Sequence, residues 1–230
     1  MKPTAIALFA LFLVAACATT KQASDVKHSG FLGDYSILQK GKEGQALLRY
    51  DNPNAQWKTY NKVMIDAVSI WTGPDSDLAK ISAEERQKLA NRFQVILANE
   101  LGKSYHLVSA PGPNTLRIQA AITDADSSNP ALNTVSTVMP IGLAVSAVTE
   151  AATGKPTFTG SASGEMKVSD AVTGEILTAA VDSRFAGKKL STEMADKWSD
   201  AQNVLTYWAQ QLAYKLCVNS HRTGCVAPAA

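Results

Sequence analysis

The sequence predicts an α+β fold, a single α/β sandwich in which a mixed or mostly antiparallel sheet packs against two to three helices. Three observations carry this expectation. Residues 83–101 and 196–218 repeat apolar side chains at spacings of three and four, which gathers them on one helical face. Residues 158–185 alternate apolar and polar side chains on either side of a turn, the pattern of a β-hairpin. The chain has 230 residues, enough for one substantial core behind an N-terminal leader.

The leader comes first. Lys2 precedes the apolar run from Ala5 to Val14, which is followed by Ala15, Ala16 and Cys17. A positive start, a short apolar core and small residues at the end make a secretory signal. The core is too short for a permanent span, which needs about 20 apolar residues. The run Leu13-Val14-Ala15-Ala16-Cys17 resembles the bacterial lipoprotein signal. That resemblance implies diacylglycerol on the Cys17 thiol and cleavage before it, so that residues 1–16 are lost. Two or more acyl chains then hold a protein stably on a bilayer, at about 0.8 kcal/mol per buried methylene. Ala18 follows the cysteine, and an Asp there would favour the inner membrane. The expected location is therefore the outer membrane, lipid-anchored on its periplasmic face.

Residues 17–29 lack periodicity and are expected to form a lipidated, flexible tether, followed by a globular domain over 30–220 and a short tail over 221–230. Phe31, Leu32 and Tyr35 lie in an arm bracketed by glycines. Ala46 to Tyr50 reads as a short strand, and Tyr60 to Trp71 as a longer one, apolar on both faces and therefore central. Ser82, with Glu85 three residues on, forms a capping box for the 83–101 helix. Leu89, Phe93, Ile96, Leu97 and Leu101 are its apolar face, and Gly102 its stop. Strands are expected at 105–109 and 115–124, the second with Arg117, Gln119 and Thr123 on a wet face. Residues 131–153 are small and apolar, with Pro140 in the middle as a helix breaker. They read as a docked helix; the alternative is a membrane- or partner-contacting segment through Val138, Ile141 and Val145. In the last helix, Trp198, Ala201, Leu205, Trp208, Leu212 and Leu216 form the buried stripe.

Charge and cysteine use bound the function. Removing the leader takes away Lys2, so 21 basic and 20 acidic residues leave a net charge of +1. That offers no electrostatic footprint for nucleic acid. Cys217 and Cys225, eight apart in an exported chain, read as a disulfide. A metal site with His221 between them lacks a fourth ligand.

Catalytic signatures are weak. The three histidines share no metal-ligand spacing. Ser24-Asp25-Val26-Lys27 spells a penicillin-recognising motif but falls in the expected tether. Gly102-Lys103-Ser104 lacks the earlier glycine of a phosphate loop, since Leu97 stands there, and no nucleotide or other cofactor is expected. Asp66, Asp124, Asp170, Glu175 and Asp182 are carboxylates on or beside strands, expected as solvated strand ends and turn caps unless two of them face one another.

Three segments carry a family likeness: Ser29-Gly30-Phe31-Leu32-Gly33-Asp34-Tyr35-Ser36, then Lys62-Val63-Met64-Ile65-Asp66, then Asp170-Ala171-Val172-Thr173-Gly174-Glu175 followed by Asp182. With the signal in front, they resemble the uncharacterised bacterial lipoproteins of domain-of-unknown-function family 3313, over about residues 29–216. The resemblance implies an envelope lipoprotein and no particular activity. The leading expectation is a non-enzymatic protein anchored in the bilayer through acylated Cys17. It would engage another envelope protein, or copies of itself, through Phe31, Leu32, Tyr35, Val138, Ile141 and Val145. The alternatives are a carrier of a lipid or small apolar ligand, with Trp71, Trp198 and Trp208 lining its cavity, and a cell-wall or glycan hydrolase.

Overall fold

The computed structural model describes residues 20–73, 76–127, 160–186 and 198–228. Cys17, Val138, Ile141 and Val145 lie outside these residues. Among the described residues, two long helices pack on one face of a nine-stranded mixed sheet.

The sheet is built on an antiparallel ribbon of its three longest strands, β7 (Thr115–Asp126), β8 (Ser161–Asp170) and β9 (Ile176–Ala186). Short strands finish both sides. On β9, β3 (Leu48–Asp51) pairs with the half from Thr178 to Val181, and β1 (Thr20–Gln22) with the half from Arg184 to Ala186. The two-residue β2 (Gln39–Lys40) lies outside β3. On β7, β4 (Lys62–Ile65) and β5 (Ser69–Ile70) run parallel to successive halves, and β6 (His106–Leu107) runs parallel to β4.

Helix α1 (Ala83–Leu101) starts where the capping box places it: the Ser82 hydroxyl accepts a hydrogen bond from the Glu85 N–H. Its Leu89, Phe93, Leu97 and Leu101 are buried, with Ile96 partly so. Helix α2 (Ser199–Asn219) buries Ala201, Leu205, Trp208, Leu212 and Leu216, and Trp198 is buried at its N-cap. These stripes meet Leu116, Ile118 and Ile122 of β7. Each fully buried leucine, isoleucine or phenylalanine contributes roughly 1.5–3 kcal/mol.

Three expectations needed correction. The single strand expected from Tyr60 to Trp71 is split into β4 and β5. Asp66 turns aside to pair with Arg117, and the Val68 N–H leaves the ladder to donate to the Gln94 side chain of α1. Thr123 is buried instead of wet, because a register shift between Ile122 and Asp124 breaks the alternation. Within the tether expected over 17–29, Thr20–Gln22 form strand β1 on β9, and Val26 and Ser29 touch the sheet.

Cys217 and Cys225 form a disulfide. It draws the expected tail back against the body, where the Arg222 guanidinium donates to the Ser104 and Tyr60 carbonyls and stacks over the Tyr105 ring. Both thiols are consumed, which rules out the metal alternative with His221. Replacing both cysteines by serine should lower stability by roughly 2–3 kcal/mol, the loop-closure value for so small a ring. Urea unfolding of the oxidised protein and the variant checks this.

Candidate functional site

Two places in the fold concentrate polar chemistry, one on each face of β8. Adjacent residues of a strand point to opposite faces, and Gly164 and Glu165 divide them.

Glu165 points away from the helices, in line with Ser163 and Lys167 as the alternation expects. It is not wet, however, being only 2% exposed. Residues 26–38 cross this face and cover it, with Val26, Phe31, Tyr35 and Leu38 packed against buried Leu32, Ala179 and Val181. The carboxylate accepts hydrogen bonds from the Ser29 N–H (2.7 Å), the Leu32 N–H (3.3 Å) and the Tyr35 hydroxyl (2.6 Å). Burial, with the bond donated to Glu165, raises the Tyr35 phenol above its ordinary value. Gly30 and Gly33 hold φ of 98° and 81°, and the turn they make lets both backbone donors reach one carboxylate. Phe31 meets the Trp71 ring edge-on at 5.9 Å, and the Trp71 indole donates to the Ser29 carbonyl. Leu32 is therefore buried, while Phe31 and Tyr35 are engaged within the chain and stay half-buried.

The helix side holds a cavity of about 300 Å³ between α2, β9 and the turn before β3. Its space comes partly from Ala180, a small residue of β9 where a larger side chain would fill it, while on β8 Gly164 lets the Trp208 ring lie against the strand as a wall. Met166, Val168, Trp208 and Leu212 form much of the apolar wall. At one end, Arg49 and Lys215 both contact the single carboxylate of Asp51. The Lys215 ammonium also donates to the Thr178 hydroxyl at 2.8 Å. Burial, with Arg49 close by, pushes Lys215 down to about 7, although the Asp51 carboxylate beside it opposes that shift.

Asp182, 6% exposed, lines the same cavity. It accepts from the Gln22 side chain (2.7 Å), the Leu47 N–H (3.2 Å) and the Trp208 indole (2.9 Å), with the Arg184 guanidinium 3.7 Å away. Burial raises its pKa against those partners. Of the expected tryptophans, Trp208 lines the cavity and Trp71 and Trp198 do not.

The other marked carboxylates hold local structure. Asp66 forms a bidentate pair with Arg117. Asp124 accepts from the Ser76 hydroxyl and the Asp77 N–H. Asp170 accepts from the N–H groups of Val172 and Thr173 in the β8–β9 turn and from the Tyr60 hydroxyl. Burial raises the Asp170 carboxyl, but these bonds outweigh it and the net shift is downward. Glu175 accepts from the Asn52 amide. Asp182 is thus a buried group, not a solvated strand end. Lys103, in the discounted phosphate-loop spelling, pairs with Glu100 in the last turn of α1. Among the described residues, no group of three or more His, Cys, Asp or Glu side chains is placed to hold a metal, and no helix is long and apolar enough to cross a membrane.

All three signature segments thus serve architecture: the first clamps onto Glu165, the second is β4 with its Asp66 pair, and the third is the turn organised by Asp170. A family model described as a protein of unknown function, DUF3313, matches residues 27–212. No curated protein matches the chain. Among solved structures, a PelC dodecamer from Paraburkholderia phytofirmans is 10% identical, with 76% of this chain and 95% of that one covered and a TM-score of 0.40. A Xanthomonas campestris protein of the DUF330 family is 8% identical, covering 74% and 92% with a TM-score of 0.42. A putative neuraminyllactose-binding hemagglutinin homolog from Helicobacter pylori is 9% identical, covering 74% and 94% with a TM-score of 0.35.

Proposed function

Since the chain belongs to the DUF3313 family of proteins of unknown function, we propose a non-catalytic role at the bacterial cell envelope. The protein is anchored by acylated Cys17 to the periplasmic face of the outer membrane, where it engages an envelope protein or further copies of itself. The observation that best supports this is the position of β1. Thr20 already pairs with Ala186 of β9, and three residues reach at most about 11 Å. An acyl group on Cys17 would hold this end of the sheet close against the leaflet. The β8–β9 turn, with exposed Val172, then stands at the far end, a strand length of roughly 33 Å away. The disulfide suits an oxidising compartment.

Metabolic labelling with palmitate, followed by membrane fractionation, tests the anchor. The wild-type chain should carry label and sediment with outer membranes, and Cys17→Ser should lose the label and most of the sedimenting fraction. An unlabelled, soluble wild-type protein would overturn the reading. A second reading, carriage of a small apolar ligand, is supported by the cavity beside α2.

A further inference from the structure

We infer that the cavity beside α2 binds an alkyl carboxylate, an apolar chain of about ten carbons ending in one negative charge. This rests on the carriage reading and adds the ligand's chemistry to it. The volume of about 300 Å³ lies at the small end of ligand pockets. At roughly 30 Å³ per water-sized group, it holds about ten such groups. The walls suit a flexible chain. Met166, Val168 and Leu212 are aliphatic, the Trp208 ring is flat, and Ala180 leaves the floor open.

The charge count supplies the head group. Arg49 and Lys215 line the cavity, and both lean on the one carboxylate of Asp51. Two cations share one carboxylate at this end of the cavity, an excess of one positive charge when the Lys215 ammonium is protonated. The other acid of the wall, Asp182, already has Gln22, Leu47, Trp208 and nearby Arg184 as partners. Glu165 also borders the cavity, but its carboxylate is held by the arm on the opposite face. A carboxylate entering beside Lys215 supplies the missing countercharge. It also favours the charged ammonium that burial and Arg49 disfavour. An alkyl chain without a charge would leave that excess unmatched.

The test uses the full chain reconstituted in phosphatidylcholine vesicles and titrated calorimetrically with decanoate, with protein-free vesicles as the blank. Wild type should show saturable binding at one site per chain. Lys215→Met keeps the length of the side chain and removes its charge. It should weaken decanoate roughly tenfold or more, as expected for loss of a charge-assisted contact, while leaving decanol unchanged. Ala180→Phe fills the floor and should abolish binding of both. Lys215→Met keeps the test decisive should Ala180→Phe fold poorly. No saturable heat above the blank in wild type overturns both the site and the carriage reading. Equal loss of decanol and decanoate in Lys215→Met, or unchanged decanoate affinity in that variant, overturns the anion assignment alone.

Discussion

Glu165→Ala should free the 26–38 arm from the sheet. Urea unfolding is expected to show a loss of about 3 kcal/mol, and limited proteolysis a new cleavage within the arm. The estimate follows from what the carboxylate does. It accepts from two backbone N–H groups and the Tyr35 hydroxyl in a site almost closed to water. Hydrogen bonds to a charged group contribute about 1.5–3 kcal/mol each, and removing the shared partner strands several donors at once. Lifting the arm lets those donors reach water, which limits the penalty to the value of docking. It also exposes Leu32, Ala179 and Val181, now buried beneath the arm. Glu165→Gln keeps one acceptor oxygen and should lose about half as much. An alanine variant with wild-type stability and an uncut arm would show that apolar packing alone holds the segment.

Gly164→Val should cost about 3 kcal/mol and push α2 off the sheet. A Cβ at this position would lie 2.9 Å and 3.2 Å from the Trp208 ring and 3.1 Å from the Ala121 carbonyl oxygen. The ring is restrained on the other side. Its indole N–H donates to Asp182 at 2.9 Å, and Phe93 packs at 6.2 Å between centroids. Overpacking a fixed core typically costs 1–3 kcal/mol. Here it also threatens the hydrogen bond that satisfies a buried carboxylate. Gly164→Ala should cost roughly 1–2 kcal/mol by the same contact. Combining Gly164→Val with Trp208→Leu should recover part of the loss, because the obstructing ring is gone. Equal stability of Gly164→Val and wild type in urea would remove the basis for this account.

The elements written in local pattern were legible. Ser82 and Glu85 announce α1, and the Trp198-to-Leu216 stripe announces α2; both helices form on those residues. The hairpin alternation places Ala162, Gly164, Met166 and Val168 on one face, and they do line the helix side. Non-local pairings were not legible. Alternation puts Glu165 on the polar face of β8, and nothing near it says that residues 26–38 cross over that face. Polar and wet are the same only when no other segment covers the strand. The cavity was hidden for a similar reason. Ala180 of β9 leaves the space and Gly164 of β8 admits the Trp208 ring that walls it, and the register that joins the two strands is not a periodicity of either. One cue was available. Lys215 lies beside Leu216 and three residues after Leu212, a cation at the margin of an otherwise apolar stripe. Such a lysine either snorkels to solvent or finds a buried partner, and Asp51 is that partner.

Among the described residues the sheet order ends on β2 at one side and β6 at the other, each two residues long, and the flanking β1 and β5 are three and two residues long. Strands that brief give an incoming backbone almost no ladder to extend, which is how natural sheets resist edge-to-edge polymerisation. A copy or companion that meets these described edges finds side chains to read far more than backbone, and a change of partner can evolve there by surface substitution without disturbing the hydrogen-bonded frame.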